Sequence, residues 1–172
     1  MKEKNFALII KYRNFILYIL PVILLTLLIF HFSSQPFHKQ DIKPYMEILI
    51  SEERLAEILP AVEFYYGGSK ISYKDPYGFT QFFIRKFAHL SLYGVLGFLT
   101  VRAVNILMLA GLRGAVLGLV CSVLIACLDE FNQSLSPYRT GSYYDVCLNI
   151  IGVFMGIMAF IFIEKLFKKE NE

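Results

Sequence analysis

Four runs of this chain, residues 15–32, about 82–101, 114–128 and about 146–163, are almost wholly apolar, and no other feature limits the fold as strongly. A helix crosses a bilayer with roughly 20 such residues. In hydrocarbon the backbone must satisfy its own hydrogen bonds, so each run is expected to be helical. All four are too apolar to be surface helices. With 56% hydrophobic and 18% charged residues over 172 positions, the chain has room for these spans and one modest loop segment, which excludes a multi-domain soluble enzyme. The expected fold is an all-α membrane protein, a single domain over residues 1–172. It is a four-transmembrane-helix bundle with an extracytoplasmic helix-plus-β-hairpin insertion at 37–81, between spans one and two.

The first run follows Lys2, Lys4, Lys11 and Arg13, as a signal peptide would. Yet it is long, and His31-Phe32-Ser33-Ser34 offers no small-x-small cleavage site, so it reads as an uncleaved span. Pro21 is tolerable within it as a kink. Charge orients the bundle. Four Lys and Arg precede span one, Arg102 and Arg113 flank the turn between spans two and three, and Lys165, Lys168 and Lys169 follow span four. From the end of span one into the start of span two the chain carries seven further basic residues, Arg85 and Lys86 among them, but the first helix usually dominates, which puts both termini in the cytoplasm. These charges lie between apolar runs and form no continuous basic face, so nucleic acid is not an expected partner.

In the loop, residues 44–59 set Tyr45, Ile48, Leu49, Leu55, Ile58 and Leu59 among Glu47, Glu52, Glu53 and Glu57, the pattern of one amphipathic helix on the outer surface. Residues 62–66 and 69–73 are β-rich runs around Gly67-Gly68, a hairpin signature. An isolated hairpin is marginal in water, so it should pack on a helix or the membrane. Cys121, Cys127 and Cys147 fall in apolar runs and read as small buried hydrophobes. No CxxC, HExxH or paired-histidine spacing is present, so no metal or other cofactor is expected, and His31 and His38 read as interfacial polar residues. Eleven Tyr and 16 Phe suit interfacial belts.

The polar residues carry the functional information. The third run is only 15 residues long, so the membrane must reach past Leu128, and Asp129, Glu130, Asp145 and Asn149 then lie at or below the interface. Ionisable groups there are expensive and usually face the bundle interior. Gly114, Gly118, Ser122, Ala126 and Glu130 recur at helical spacing. So do Asp145, Asn149, Gly152, Gly156 and Ala159 in span four, and His89, Tyr93, Gly97 and Thr100 in span two. Small residues let helices approach closely, and each stripe ends outward in a polar residue, so three helices should aim at one outward pocket. A competing account is an ion-pair network of Asp129, Glu130, Asp145 and His89 with Arg85, Lys86 and Arg139 that only fixes loop geometry, although desolvating such charges offsets much of their attraction.

Four motifs in order, Ser33-Ser34-Gln35-Pro36, Arg85-Lys86-x-x-His89-x-x-x-Tyr93-x-x-Leu96-Gly97, Asp129-Glu130-x-x-Gln133 and Arg139-x-Gly141-x-x-x-Asp145-x-x-x-Asn149-x-x-Gly152, resemble the VanZ-like family across all four spans. The resemblance implies a bacterial plasma membrane. The family is named for a small membrane protein that gives low-level resistance to the glycopeptide antibiotic teicoplanin, which is a phenotype and not a mechanism. The long outer loop departs from the shortest members and looks like a subfamily elaboration.

Two functions suit such a pocket. In one, the chain acts on a lipid or lipid-linked precursor of the cell envelope. His89, Asp129, Glu130 and Asp145 would be the catalytic acids and bases, the carboxyls raising one another's pKa by repulsion. Arg85, Lys86 and Arg139 would hold a phosphate or carboxylate, with Tyr93, Gln133 and Asn149 orienting it. No nucleophile stands out, so the reaction is bounded only as acid-base-assisted transfer or hydrolysis. In the other, the same pocket binds a lipid or the acyl tail of an antibiotic, or scaffolds another membrane protein, without chemistry. A small transporter is the weaker alternative, because four short spans with no inverted repeat offer little machinery for alternating access, although homo-oligomerisation through the glycine faces could supply it.

Overall fold

The structure, a computed structural model, describes residues 9–10, 12–135 and 142–169. A π-helical turn, Phe15–Ile19, leads into α1, Leu20–Ser33. The connecting segment holds a 3-10 turn at Phe37–Gln40, the short helices α2, Lys43–Leu49, and α3, Glu52–Ile58, and the strands β1, Glu63–Tyr66, and β2, Ser69–Ser72. Three long helices follow: α4, Pro76–Leu107, α5, Leu112–Ser134, and α6, Tyr143–Lys169. Four segments, Tyr12–Ser33, Pro76–Leu107, Leu112–Ser134 and Tyr143–Lys168, are long and apolar enough to cross a membrane, as expected. With its 32 residues α4 is about 48 Å long, well beyond a hydrocarbon core of about 30 Å.

Pro21 does not kink α1 in its middle; it sits in the first turn. Lacking an N–H, it cannot continue the i→i−4 pattern from below. The chain accommodates this with a π-helical turn in which the Leu20 N–H donates to the Phe15 carbonyl.

The hairpin is as expected. Gly67 and Gly68 have φ of 58° and 82°, the two positive values of a type I′ turn, and Phe64 pairs with Ile71 and Tyr66 with Ser69. Alternation points Phe64 and Tyr66 inward and leaves Tyr65 in the open. The Phe64 ring lies 5.7 Å from Phe82 and 6.1 Å from Phe83, and the Tyr66 ring 5.1 Å from Phe82 and 5.3 Å from Tyr144. Edge-to-face packing on α4 and a tilted ring contact on α6 thus hold a hairpin that would be marginal alone.

Residues 44–59 do not form one amphipathic helix. The chain breaks into α2 and α3 at Ile50, whose extended backbone frees its carbonyl to accept the Tyr77 Oη at 2.9 Å. A tertiary hydrogen bond therefore overrides the local periodicity, and Tyr45, Ile48, Leu49 and Ile58 are exposed.

The core centres on α4, whose Tyr93, Leu96 and Val101 pack with Val153 of α6 and Ala126 of α5. The glycine stripes set the spacing. A Cβ on Gly97 would stand 2.9 Å from Val153 Cα, and one on Gly118 2.9 Å from Val101 Cα, so no side chain fits either contact. Gly114, Gly118, Ser122, Ala126 and Glu130 are all buried, as their spacing predicts. The α6 stripe holds only to Gly156, for Ala159 is exposed. Its spacing follows a period near 3.5, which drifts around a helix of 3.6 residues per turn. The Phe160 ring takes over the contact, 5.7 Å from Phe98. The cysteines also depart from expectation: Cys127 is exposed on the bundle surface, and Cys121 and Cys147 are half-buried. Helix α1 is peripheral and buries only Ile29 and Ser33.

Candidate functional site

The chain direction brings the ends of α1 and α5 and the starts of α4 and α6 to the hairpin end of the bundle, where their polar residues gather into two groups. In the first, Lys86 of α4 forms an ion pair with Asp145 Oδ1 of α6, and Tyr66 Oη of the hairpin donates to the same oxygen at 2.7 Å. The Lys86 ammonium stands 4.4 Å from the Tyr66 ring centroid, a cation–π contact that fixes both side chains. Burial and the hydrogen bond to Asp145 raise the Tyr66 phenol above its ordinary pKa, so it remains a donor. On the outer strand positions, the Lys70 ammonium and the Ser72 hydroxyl hold the Glu63 carboxyl below its usual range.

In the second group Asp129 of α5 is almost completely enclosed, and its Oδ2 accepts from Tyr93 Oη at 2.7 Å and Gln133 Nε2 at 3.0 Å. The Ser33 hydroxyl of α1 reaches the Asp129 carbonyl at 3.5 Å. His89 stacks on Tyr93 one turn away, ring centroids 6.5 Å apart and planes 18° apart. Glu130, next to Asp129, accepts the backbone N–H of Ser142, tying the end of α5 to the start of α6. Asp129 Oδ1, Glu130 Oε2 and both amide atoms of Asn149 are buried without a protein partner. Buried polar groups are nearly always satisfied, so these atoms mark places for water or a ligand.

Among the described residues, two of the cavities at this end reach these polar groups. The larger, about 540 Å³, is bounded by the hairpin and the starts of α4 and α6, and its lining mixes the cations Lys43, Lys70, Arg85 and Lys86 with the carboxylates Asp41, Asp75 and Asp145. The smaller, about 190 Å³, runs between α1 and α4, walled mainly by apolar residues such as Ile29, Phe32 and Leu92, with His89, Tyr93 and Asp129 at its polar end. Arg85 lines both.

Of the residues expected to converge, Lys86 and Asp145 meet at the larger cavity, and His89, Tyr93 and Asp129 at the smaller. Gln133 supports Asp129 from behind, and Glu130 and Asn149 are buried outside both linings. Arg139, with Pro137 and Gly141, lies outside the described residues. His31 is exposed near the end of α1, 3.1 Å from the Gln35 amide. Among the described residues, no three His, Cys, Asp or Glu side chains are grouped to hold a metal ion.

Sequence reasoning missed three contributors. Tyr66 was visible only as a β-former beside the glycine turn, and Ser142 acts through its backbone. Gln81 is 3% exposed in the wall of the larger cavity, with neither amide atom hydrogen-bonded. Its signal was a lone amide among the aromatic residues Phe79, Phe82 and Phe83.

Comparison with curated proteins and with solved structures finds no match to this chain. The family model described as VanZ/LLP1 does match, over residues 15–164, from the turn before α1 to within the last turns of α6 and including every motif residue named above. The chain therefore belongs to the VanZ/LLP1 family.

Proposed function

We propose that this chain is a multi-pass protein of a bacterial plasma membrane whose polar end faces outward and binds, or acts on, a lipid or lipid-linked precursor of the cell envelope. The observation that carries this reading is the larger cavity: a recess of about 540 Å³ lined by four cations and three carboxylates, placed where the membrane bundle meets its loop segment. That volume falls within the roughly 300–1,000 Å³ of small-molecule sites, and cations at such a boundary suit an acidic head group. The family name adds a link to teicoplanin resistance, in which an altered envelope lipid or a captured antibiotic tail would lower the drug's effect. Lipidomic comparison of the outer leaflet, with and without the protein, tests the proposal. A lipid-linked species that changes on deletion and returns on complementation is expected; identical profiles together with unchanged teicoplanin sensitivity would overturn it.

The orientation belongs to the same proposal and rests on the basic residues at both ends of the chain. In whole cells, an impermeant thiol reagent should label a cysteine placed at Tyr65 on the hairpin and spare one placed at Lys169. The reverse pattern would put the cavity on the cytoplasmic side.

Acid-base chemistry is a second reading, favoured by the unpartnered carboxylate oxygens of Asp129 and Glu130. Glu130→Gln keeps the size of the side chain and its acceptor for the Ser142 N–H. It should insert and accumulate like the parent chain while losing about tenfold or more of its activity, the scale of general acid-base assistance being roughly 10²–10⁴. Full complementation of a deletion strain by normally accumulating Glu130→Gln would leave binding as the function.

A further inference from the structure

At the end of the bundle away from the hairpin, Arg102 is exposed on α4 with its guanidinium carbon 5.0 Å from the centre of the Tyr18 ring. Tyr18 belongs to the π-helical turn ahead of α1, which packs against α4, so the pair forms a surface seam between the two helices. Arg102 directly follows the apolar run at 82–101, and on α6 Glu164 and Lys165 directly follow the run at 146–163. The two positions lie level. Helices α4 and α6 run the same way, with Gly97 against Val153, and the Phe98 and Phe160 rings, each one turn earlier, are 5.7 Å apart. Charges that end two adjacent apolar runs at one height mark the level of lipid head groups. We infer that Arg102 and Tyr18 form a site for the phosphodiester of an anionic phospholipid, whose tails lie along the apolar surface of α4.

The chemistry of the seam selects this ligand. A guanidinium held over a ring is kept in place without spending its N–H donors, and those donors match two phosphate oxygens at once. Among the described residues, Arg102 enters no ion pair and no side-chain hydrogen bond. Glu164, the one described carboxylate at this end, is 3.6 Å from Lys168, which leaves no acidic group for the ammonium of a zwitterionic head group. Arg113 and Lys165, both exposed, add positive charge at the same end. A free phosphate would find the same donors but would make no use of the apolar surface beside them. Val95, two turns back on the same face of α4, is about half exposed and offers that surface to a tail.

This site lies at the opposite end from the cavities described above and stands whether or not they bind an envelope lipid. The full chain is reconstituted in nanodiscs of equal phosphatidylglycerol and phosphatidylcholine with matched acyl chains, and retained lipid is counted by native mass spectrometry. Phosphatidylglycerol should be retained about fivefold or more over phosphatidylcholine, the scale of one surface cation acting on an anionic lipid. Because Arg102 is exposed, Arg102→Gln should accumulate like the parent chain, and it should bring the ratio close to one. Arg113→Gln removes an exposed cation outside the seam and should keep most of the preference. A photoreactive head group on phosphatidylglycerol, used with the unmodified chain, should mark the turn at Phe15–Ile19 and α4 beside Arg102. A large excess of soluble glycerophosphoglycerol should leave the bound lipid in place; displacement would assign the contact to a free phosphodiester and overturn the lipid site. Equal losses from the two arginine variants would reduce it to diffuse charge. A lower melting temperature for Arg102→Gln with an unchanged lipid ratio would make the pair a strut between α1 and α4, and labelling spread evenly over α5 and α6 would also overturn the inference.

Discussion

Gly156→Leu is expected to abolish accumulation of folded protein. A Cβ at this position would run into the carbonyl of Gly94 and stand 2.9 Å from the Phe98 nitrogen, and both are backbone atoms of α4 that cannot rotate away. Relief would require α4 and α6 to separate, along the contact where Gly97 and Gly152 also exclude any side chain. In a membrane this separation has no hydrophobic compensation, because helix association depends on close packing itself. Ordinary overpacking costs about 1–3 kcal/mol; a clash with backbone on a central pair should exceed that and remove most of the marginal stability of the domain. Gly94→Ala is the control. Its Cβ would meet the Gly152 carbonyl at 3.4 Å, an ordinary contact, so yield and melting temperature in detergent should fall only slightly. Parent-like yield for Gly156→Leu would show that the two helices do not pack through this face.

How much of this architecture the sequence disclosed depended on the range of the forces involved. The four spans were legible because an apolar run reports membrane solvation without regard to its neighbours. The hairpin was legible because Gly67-Gly68 supplies both positive-φ positions locally. The carboxylates beyond Leu128 were legible from length alone. The extra turns of α4 were not, since residues 76–81 mix Pro, Gly, Thr and Gln with aromatics and carry no clear period. The break at Ile50 was hidden because the group that stabilises it, Tyr77, is 27 residues away. Distance along the chain also hid the site's main junction: Tyr66 and Asp145 are separated by 79 residues. The spacing of His89, Asp129 and Asp145 indicated which end they share, but only packing could show that Asp145 lines one cavity and His89 and Asp129 another, with Arg85 in both linings.

Asp145→Leu is expected to be the most destabilising change among the polar residues, and its rescue identifies what the pair is for. Lys86 and Asp145 retain only 19% and 18% of their side-chain exposure, so removing the carboxylate leaves a largely desolvated ammonium, at a cost of about 3–5 kcal/mol. Tyr66→Phe, which deletes one donor to the same oxygen, should cost nearer 0.5–1.5 kcal/mol. In the double variant Lys86→Met with Asp145→Leu both charges vanish together, and stability should return close to the parent value, since apolar replacement of a buried pair is often neutral or better. Melting temperatures of the purified chains measure all three. Function then discriminates between the two accounts of the cluster. If the ion pair merely anchors the hairpin to the bundle, the double variant should complement a deletion strain as well as the parent does, because the aromatic contacts of Phe64 and Tyr66 still hold the hairpin in place. If Lys86 receives an acidic head group, the refolded double variant should remain inactive, having regained its structure and lost the cation that the ligand requires.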